Sequence, residues 1–203
     1  DIFEERTVYS SYSGEDQELT VYYSKKSEGR LPLALYVPGS GWERQDPNAN
    51  THYMLMLARK GYTVARVQHR PSDVAPFPAQ VIDCKNALKF LIRNKDKYRI
   101  DTDRIGLLGD SSGAHTVLMA GITKNGYPVD EELYPDTEFD IKCIVDQFGP
   151  TEIKTLNEMP SCYDITSANE LAGKLIGRQN VWEHTDDADR ASPISYITKE
   201  ADI

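Results

Sequence analysis

From residue 31 onward, runs of consecutive apolar residues alternate with stretches whose apolar positions recur every three to four residues. Leu31–Val37 (LPLALYV) is apolar almost throughout, as a strand covered on both faces must be. Tyr53, Met54, Leu57 and Ala58 follow at helical spacing, with Gly61 as the stop. Residues 62–67 read as a second buried strand. Pro71, Pro76 and Pro78 mark a stiff loop. Val81, Cys84, Leu88, Leu91 and Ile92 form the apolar face of a helix running to about Asn94. Residues 105–108 predict a short strand, Ser112–Thr123 a helix and residues 141–145 another strand, closed by Gly149 and Pro150. Ahead of this series, residues 7–11 and 19–23 are β-prone runs around a turn signal at Ser13-Gly14-Glu15-Asp16.

Strand and helix therefore alternate from residue 31 to residue 148. That order predicts parallel strand–helix–strand units in a doubly wound, mostly parallel α/β sheet. Residues 151–190 break the alternation. They are polar, with short apolar clusters such as Leu171, Leu175 and Ile176, and predict a lid-like insertion of short helices above the sheet. The chain of 203 residues suits one domain with a substantial core.

Composition narrows the partners. The net charge is −9 and no Lys/Arg run exceeds Lys25-Lys26, so a polyanion would be repelled and nucleic-acid binding is not expected. No stretch approaches the ~20 apolar residues of a membrane span. The first residue is Asp1 and not Met, which leaves secretion open. The three cysteines match neither a zinc site nor a disulfide framework. Cys84 and Cys143, in apolar segments, read as small buried hydrophobes, and Cys162, in a polar stretch, as exposed. No metal-ligand spacing and no phosphate-cradling loop is present, so neither metal nor cofactor is expected.

Chemistry concentrates at Gly109-Asp110-Ser111-Ser112-Gly113, which fits G-x-S-x-G. The pattern alone is common. Its context is not, because an apolar strand enters it and a helical pattern leaves it. A turn this sharp needs close backbone approach on both sides, which Gly109 and Gly113 permit. It would lift the Ser111 hydroxyl above the carboxyl end of the sheet, where ligands bind in such folds. Ser111 is thus the candidate nucleophile.

The loop Pro38-Gly39-Ser40-Gly41-Trp42 follows the Leu31–Val37 strand. Attack on an ester carbonyl places negative charge on its oxygen, and a preorganised N–H donor there lowers the barrier by roughly 3–4 kcal/mol. A glycine-rich loop offers such donors without obstruction. The amides of Ser40, Gly41 and Ser112 are the candidate oxyanion donors.

These motifs together resemble the α/β-hydrolase esterases related to hormone-sensitive lipase, particularly bacterial feruloyl and acetyl-xylan esterases. The H-G-G-G-W loop of that family matches residues 38–42, with Pro and Ser at 38 and 40. A Y-R pair matches His69-Arg70, and F-P-A-x-x-x-D matches Phe77-Pro78-Ala79 with Asp83. D-x-x-R-I matches Asp101 to Ile105, G-D-S-A-G-G-H matches Gly109 to His115 with Ser at 112 and Ala at 114, and G-P-T-D matches Gly149 to Glu152. The resemblance covers about residues 30–200. It implies a serine carboxylesterase acting on acetyl or feruloyl esters of plant polysaccharide, hence a small-molecule or oligosaccharide ester as substrate.

A serine nucleophile needs a base, and the base an orienting acid. In this fold they follow the serine as Asp or Glu, then His. The resemblance places residues 191–197 shortly before the strand that carries the acid, so both are expected beyond Ile203. The last two strand–helix units, on the order of 60 residues at about 30 each, would then be absent, leaving a C-terminally truncated sheet. Of the four histidines, His52 lies in an upstream helix, His69 matches a structural Tyr, His115 belongs to the helix after the nucleophile, and His184 sits in a polar surface stretch. Asp110 and Asp83 read as structural carboxylates; Asp146, near the carboxyl end of a strand, reads as a structural or capping residue, with the acid of an atypical arrangement as the alternative. The chain alone is expected to be catalytically crippled. Its strand at 141–145 should expose an edge for a second copy or a missing C-terminal segment. Trp182 and Tyr163 are candidates to line a site for a ring. Two other readings stay open: a prolyl-oligopeptidase-like peptidase, and a non-catalytic fragment or pseudoenzyme that binds a partner.

Overall fold

The computed structural model describes residues 1–12, 14–124, 133–158 and 162–197. Ser13 of the expected turn, part of the 151–190 segment and Ile203 lie outside the described residues. Among the described residues six strands, numbered in chain order, form one sheet in the order β1-β2-β4-β3-β5-β6. The strands β1 (Phe3–Tyr12) and β2 (Glu15–Tyr23) make an antiparallel hairpin, and β2 runs antiparallel to β4 (Thr63–Val67). The remaining pairs are parallel. They join β3 (Leu31–Val37) to β4 and to β5 (Ile100–Asp110), and β5 to β6 (Cys143–Gln147).

Helices cover both faces, which is why β3 is apolar throughout and every residue of β4 is buried, Thr63 and Arg66 included. On one face α1 (Thr51–Arg59) sets Met54 and Ala58 against Tyr22, Ala34, Tyr36 and Val64. On the other, α2 (Ala79–Arg93) and α4 (Ser112–Thr123) pack Cys84, Leu88, Leu91, Val117 and Met119 onto Leu35, Val67 and Leu107. The short α3 (Lys95–Tyr98) links α2 to β5. Beyond β6, α5 (Leu171–Leu175) and α6 (Thr185–Arg190) are followed by a 3₁₀ turn, Pro193–Tyr196. Ala172, Leu175, Val181 and Ala188 gather with Trp42 into a separate apolar cluster.

Two expectations need correction. The strand expected at 141–145 is hydrogen-bonded at Cys143–Gln147 instead, because its register is set by β5, with Gly109 opposite Asp146 and Asp110 opposite Gln147. Cys143 is exposed, not buried. It lies on an edge strand whose Ile144 side packs under α4 while the opposite side is uncovered by any described element; Val145 is 41% exposed, and Phe148, just past the strand, 78%. A shallow apolar groove of about 340 Å³, lined by Leu33, Leu57, Leu108, Cys143 and Val145, runs beside it. Cys84 is buried, which pushes its thiol up to about 12, and Cys162 is exposed.

Candidate active site

β5 and α4 meet at Ser111, whose backbone sits at φ 52°, ψ −127°. This is a costly region for a non-glycine residue, held only where the surroundings fix it. Here the Ser111 amide donates to the Gln147 carbonyl at 2.9 Å, and the Ser111 carbonyl accepts the His115 amide at 3.2 Å. The flanking glycines are steric requirements. A Cβ on Gly113 would lie 2.1 Å from the Val37 carbonyl oxygen, and one on Gly109 would lie 2.5 Å from the Gly113 backbone. The bend therefore closes tightly against the end of β3, beside the loop at 38–42.

That loop is braced from several sides. Asp110 accepts the Gly39 amide at 3.1 Å and the Tyr36 hydroxyl at 2.5 Å. Burial, and then the Asp110 carboxylate that it serves, push the Tyr36 phenol up, so it stays a donor. Gln45 donates to the Pro38 carbonyl at 2.7 Å and accepts the His69 amide at 2.8 Å, tying the loop to the end of β4. Ser72 donates its amide to the Trp42 carbonyl at 2.8 Å. The Trp42 indole donates to His115 Nδ1 at 3.0 Å. Glu43 pairs with Lys174 of α5 at 2.5 Å. Gly41 and Trp42 both carry positive φ, at 65° and 59°; glycine adopts it freely, and for Trp42 the bracing holds a strained backbone in place.

Ser111, Ser112, Gly41 and Trp42 line one cavity of about 280 Å³. Its other walls are Phe148, Gly149, Pro150, Leu156, Ile165, Leu171 and Ala172, so the pocket is largely apolar with polar atoms at the elbow. Trp182 and Tyr163, expected as candidates for a ring site, are exposed and do not line it. The shorter aliphatic residues of the segment fill that place. Nothing in their polar sequence context marks them, because the signal lies in where α5 docks.

The three candidate donors are not equivalent. No described residue accepts a hydrogen bond from the amides of Gly41 or Ser112. The Ser40 amide, by contrast, is already engaged, donating to Ser112 Oγ at 2.9 Å. The Ser40 hydroxyl donates to the Glu43 carbonyl at 2.7 Å.

No histidine hydrogen-bonds to the Ser111 hydroxyl among the described residues. His115 is buried and occupied at both ring nitrogens, by Trp42 and by the Ala191 carbonyl at 2.7 Å. Burial lowers its pKa to about 4, which leaves it neutral. His69 is buried against the Arg70 carbonyl, and burial likewise lowers it to about 4. His52 is exposed against Tyr53, and His184 is exposed at the start of α6. Asp146 accepts the Gly149 amide at 2.7 Å. Asp83 forms a buried ion pair with Arg70 at 2.9 Å, joining the two motifs at 69–70 and 77–83. Among the described residues, no group of three or more His, Cys, Asp or Glu side chains is placed to hold a metal ion. No described helix is long and apolar enough to cross a membrane.

Residues 19–202 match the family model described as BD-FAE. The esterase LipC of Mycobacterium tuberculosis is 24% identical over 84% of this chain. The chain spans about two fifths of the length of the curated relatives LipC and LipQ, 41% and 40% respectively. Among solved structures, a bifunctional GH43-CE protein from Bacteroides eggerthii superposes with a TM-score of 0.78 at 28% identity, over 97% of this chain and 29% of its own. A truncated carbohydrate esterase from gut microbiota superposes with a TM-score of 0.78 at 26% identity, over 97% of this chain and 74% of its own.

Proposed function

The chain belongs to the BD-FAE family, with the α/β-hydrolase fold, and from that premise we propose that it is the nucleophile-bearing part of a serine carboxylic-ester hydrolase. The observation that carries the reading is Ser111 at φ 52°, on the wall of an apolar cavity that it shares with Gly41 and Ser112.

In this reading Ser111 Oγ attacks the ester carbonyl and gives up its proton to a base. The amides of Gly41 and Ser112 receive the charge that develops on the carbonyl oxygen, and the alcohol leaves to give an acyl-enzyme that water then cleaves. His115 is excluded as the base, since neither ring nitrogen is open to the serine. The base and its orienting acid come from outside these 203 residues. The segment around α5 acts as a lid over the pocket, and the edge at β6 is the place for a second copy or a further segment to pair.

The substrate class we propose is an acetyl or feruloyl ester of a plant polysaccharide. The descriptions of two similar structures, a carbohydrate esterase and a bifunctional GH43-CE protein, support it. The pocket agrees: its walls are largely apolar, and none of the described residues lining it is cationic. The test is release of acetate and ferulate from xylan fragments by the protein at its full encoded length, beside an aminoacyl amide. Ester cleavage with a silent amide supports the reading. Amide cleavage in preference to both esters would replace it with a peptidase.

A further inference from the structure

Ser112 Oγ accepts the Ser40 amide at 2.9 Å, and the residue is only 2% exposed. A serine hydroxyl has two lone pairs and one hydrogen to give. One lone pair is taken by Ser40. The hydrogen is given to no described residue, although buried hydroxyls rarely leave theirs unused. Ser112 nevertheless lines the same cavity as Ser111 and Gly41. Its backbone amide is the first of helix α4 and has no intrahelical partner. A single residue thus holds two uncommitted donors beside the nucleophile, while the Ser40 amide is withdrawn from that duty.

We propose that the Ser112 hydroxyl is itself an oxyanion donor, standing in for the Ser40 amide that it binds. The assignment rests on the serine-hydrolase reading above. As the ester carbonyl becomes tetrahedral, its oxygen gains charge and accepts from the Ser112 amide, the Gly41 amide and Ser112 Oγ–H. No proton is transferred: Oγ–H stays on Ser112 and the hydrogen bond shortens as the acceptor becomes charged. The Ser40 N–H behind it polarises the hydroxyl and makes it a better donor, as in any hydrogen-bonded chain. The same contact keeps the side chain in one rotamer before substrate arrives, so no reorganisation is needed at the moment of reaction. Position 112 is thereby a catalytic residue through its side chain as well as through its backbone.

The experiment uses the protein at its full encoded length with 4-nitrophenyl acetate and its thiono counterpart, in which sulfur replaces the carbonyl oxygen and accepts hydrogen bonds poorly. Losing one oxyanion donor costs on the order of 100- to 1000-fold in kcat. The Ser40 amide released by Ser112→Ala offsets part of that, so a fall of about 10- to 100-fold is expected, with KM within about twofold. The preference for the oxygen ester over the thiono ester should shrink by a similar factor, and Ser112→Thr, which keeps the hydroxyl, should restore both. Thermal melting checks that the variants fold, and Ser112→Gly takes the place of alanine if alanine melts early. An alanine variant as fast as the parent overturns the proposal. So does one that slows without any change in the oxygen-to-thiono ratio, since that pattern belongs to a purely structural hydroxyl. Ser111→Ala is run alongside. If it retains turnover, the serine reading itself fails, and the two failures stay distinct.

Discussion

The indole N–H of Trp42 donates to Nδ1 of His115 at 3.0 Å, while Nε2 of the same ring lies 2.7 Å from the Ala191 carbonyl. The two contacts together require a neutral ring with its hydrogen on Nε2, because a carbonyl can only accept. One buried imidazole thus ties the loop at 38–42, helix α4 and the segment after α6 into one unit.

Stability should therefore fall on mild acidification. Burial lowers His115 and His69 from 6.5 to about 4. Between those values the unfolded chain binds more protons than the folded one, so the slope of stability against pH is positive. Their contribution is complete above pH 6.5 and is lost as the pH falls toward 4. Each histidine is worth about 3 kcal/mol across that window. Thermal melting from pH 7 to pH 4 should show a steep loss of Tm, and His115→Gln should flatten the slope by its share. A Tm constant across the window contradicts the assignment.

Arg70 and Asp83 are 2% and 0% exposed in their side chains and are joined at 2.9 Å. Asp83 also accepts the Arg70 amide at 2.7 Å. Removing the carboxylate would take the Asp83 partner from a buried guanidinium and from a backbone donor, at a cost of about 3–5 kcal/mol. Asp83→Ala should accordingly lower the urea midpoint sharply with little change in the slope of the transition. A shift below about 1 kcal/mol would show that the pair is solvated.

The edge at β6 makes a third prediction. A parallel strand that no described strand pairs on its outer side, with Val145 exposed on it and Phe148 just beyond it, is a template for pairing. Residues 1–203 expressed alone should self-associate with rising concentration, and Val145→Lys should restore a monomer, as read by sedimentation velocity. A parent chain that stays monomeric at high concentration would show that this edge is inert.

The sequence made some of this plain and hid the rest, for identifiable reasons. Leu31–Val37 and Ser112–Thr123 are legible to the residue, because a two-face-buried strand and a helix behind a glycine bend each leave an unbroken signal. β5 is longer than its apolar stretch at 105–108, since Asp101 to Arg104 extend it with polar residues held by their own ion pair at 2.6 Å. Cys143 reads as buried because apolar neighbours in sequence do not reveal that its strand lies at a sheet edge. At the site, Ser111 and its glycines carry a local motif and are readable. The pocket walls at Leu156, Ile165 and Leu171, and the Ser40–Ser112 contact, arise from segments far apart in the chain and leave no periodic trace.

The central claim is that Ser111 is a nucleophile with an accessible hydroxyl on a strained bend. It is tested most directly by reacting the full-length protein with a fluorophosphonate and locating the adduct by peptide mass spectrometry. Attack by Ser111 Oγ would form the P–O bond and expel fluoride, with the serine proton passing to the base. The account predicts a single adduct on Ser111, absent in Ser111→Ala, with loss of ester hydrolysis in proportion to labelling. An adduct confined to another residue, or full ester hydrolysis with Ser111 unmodified, would contradict it.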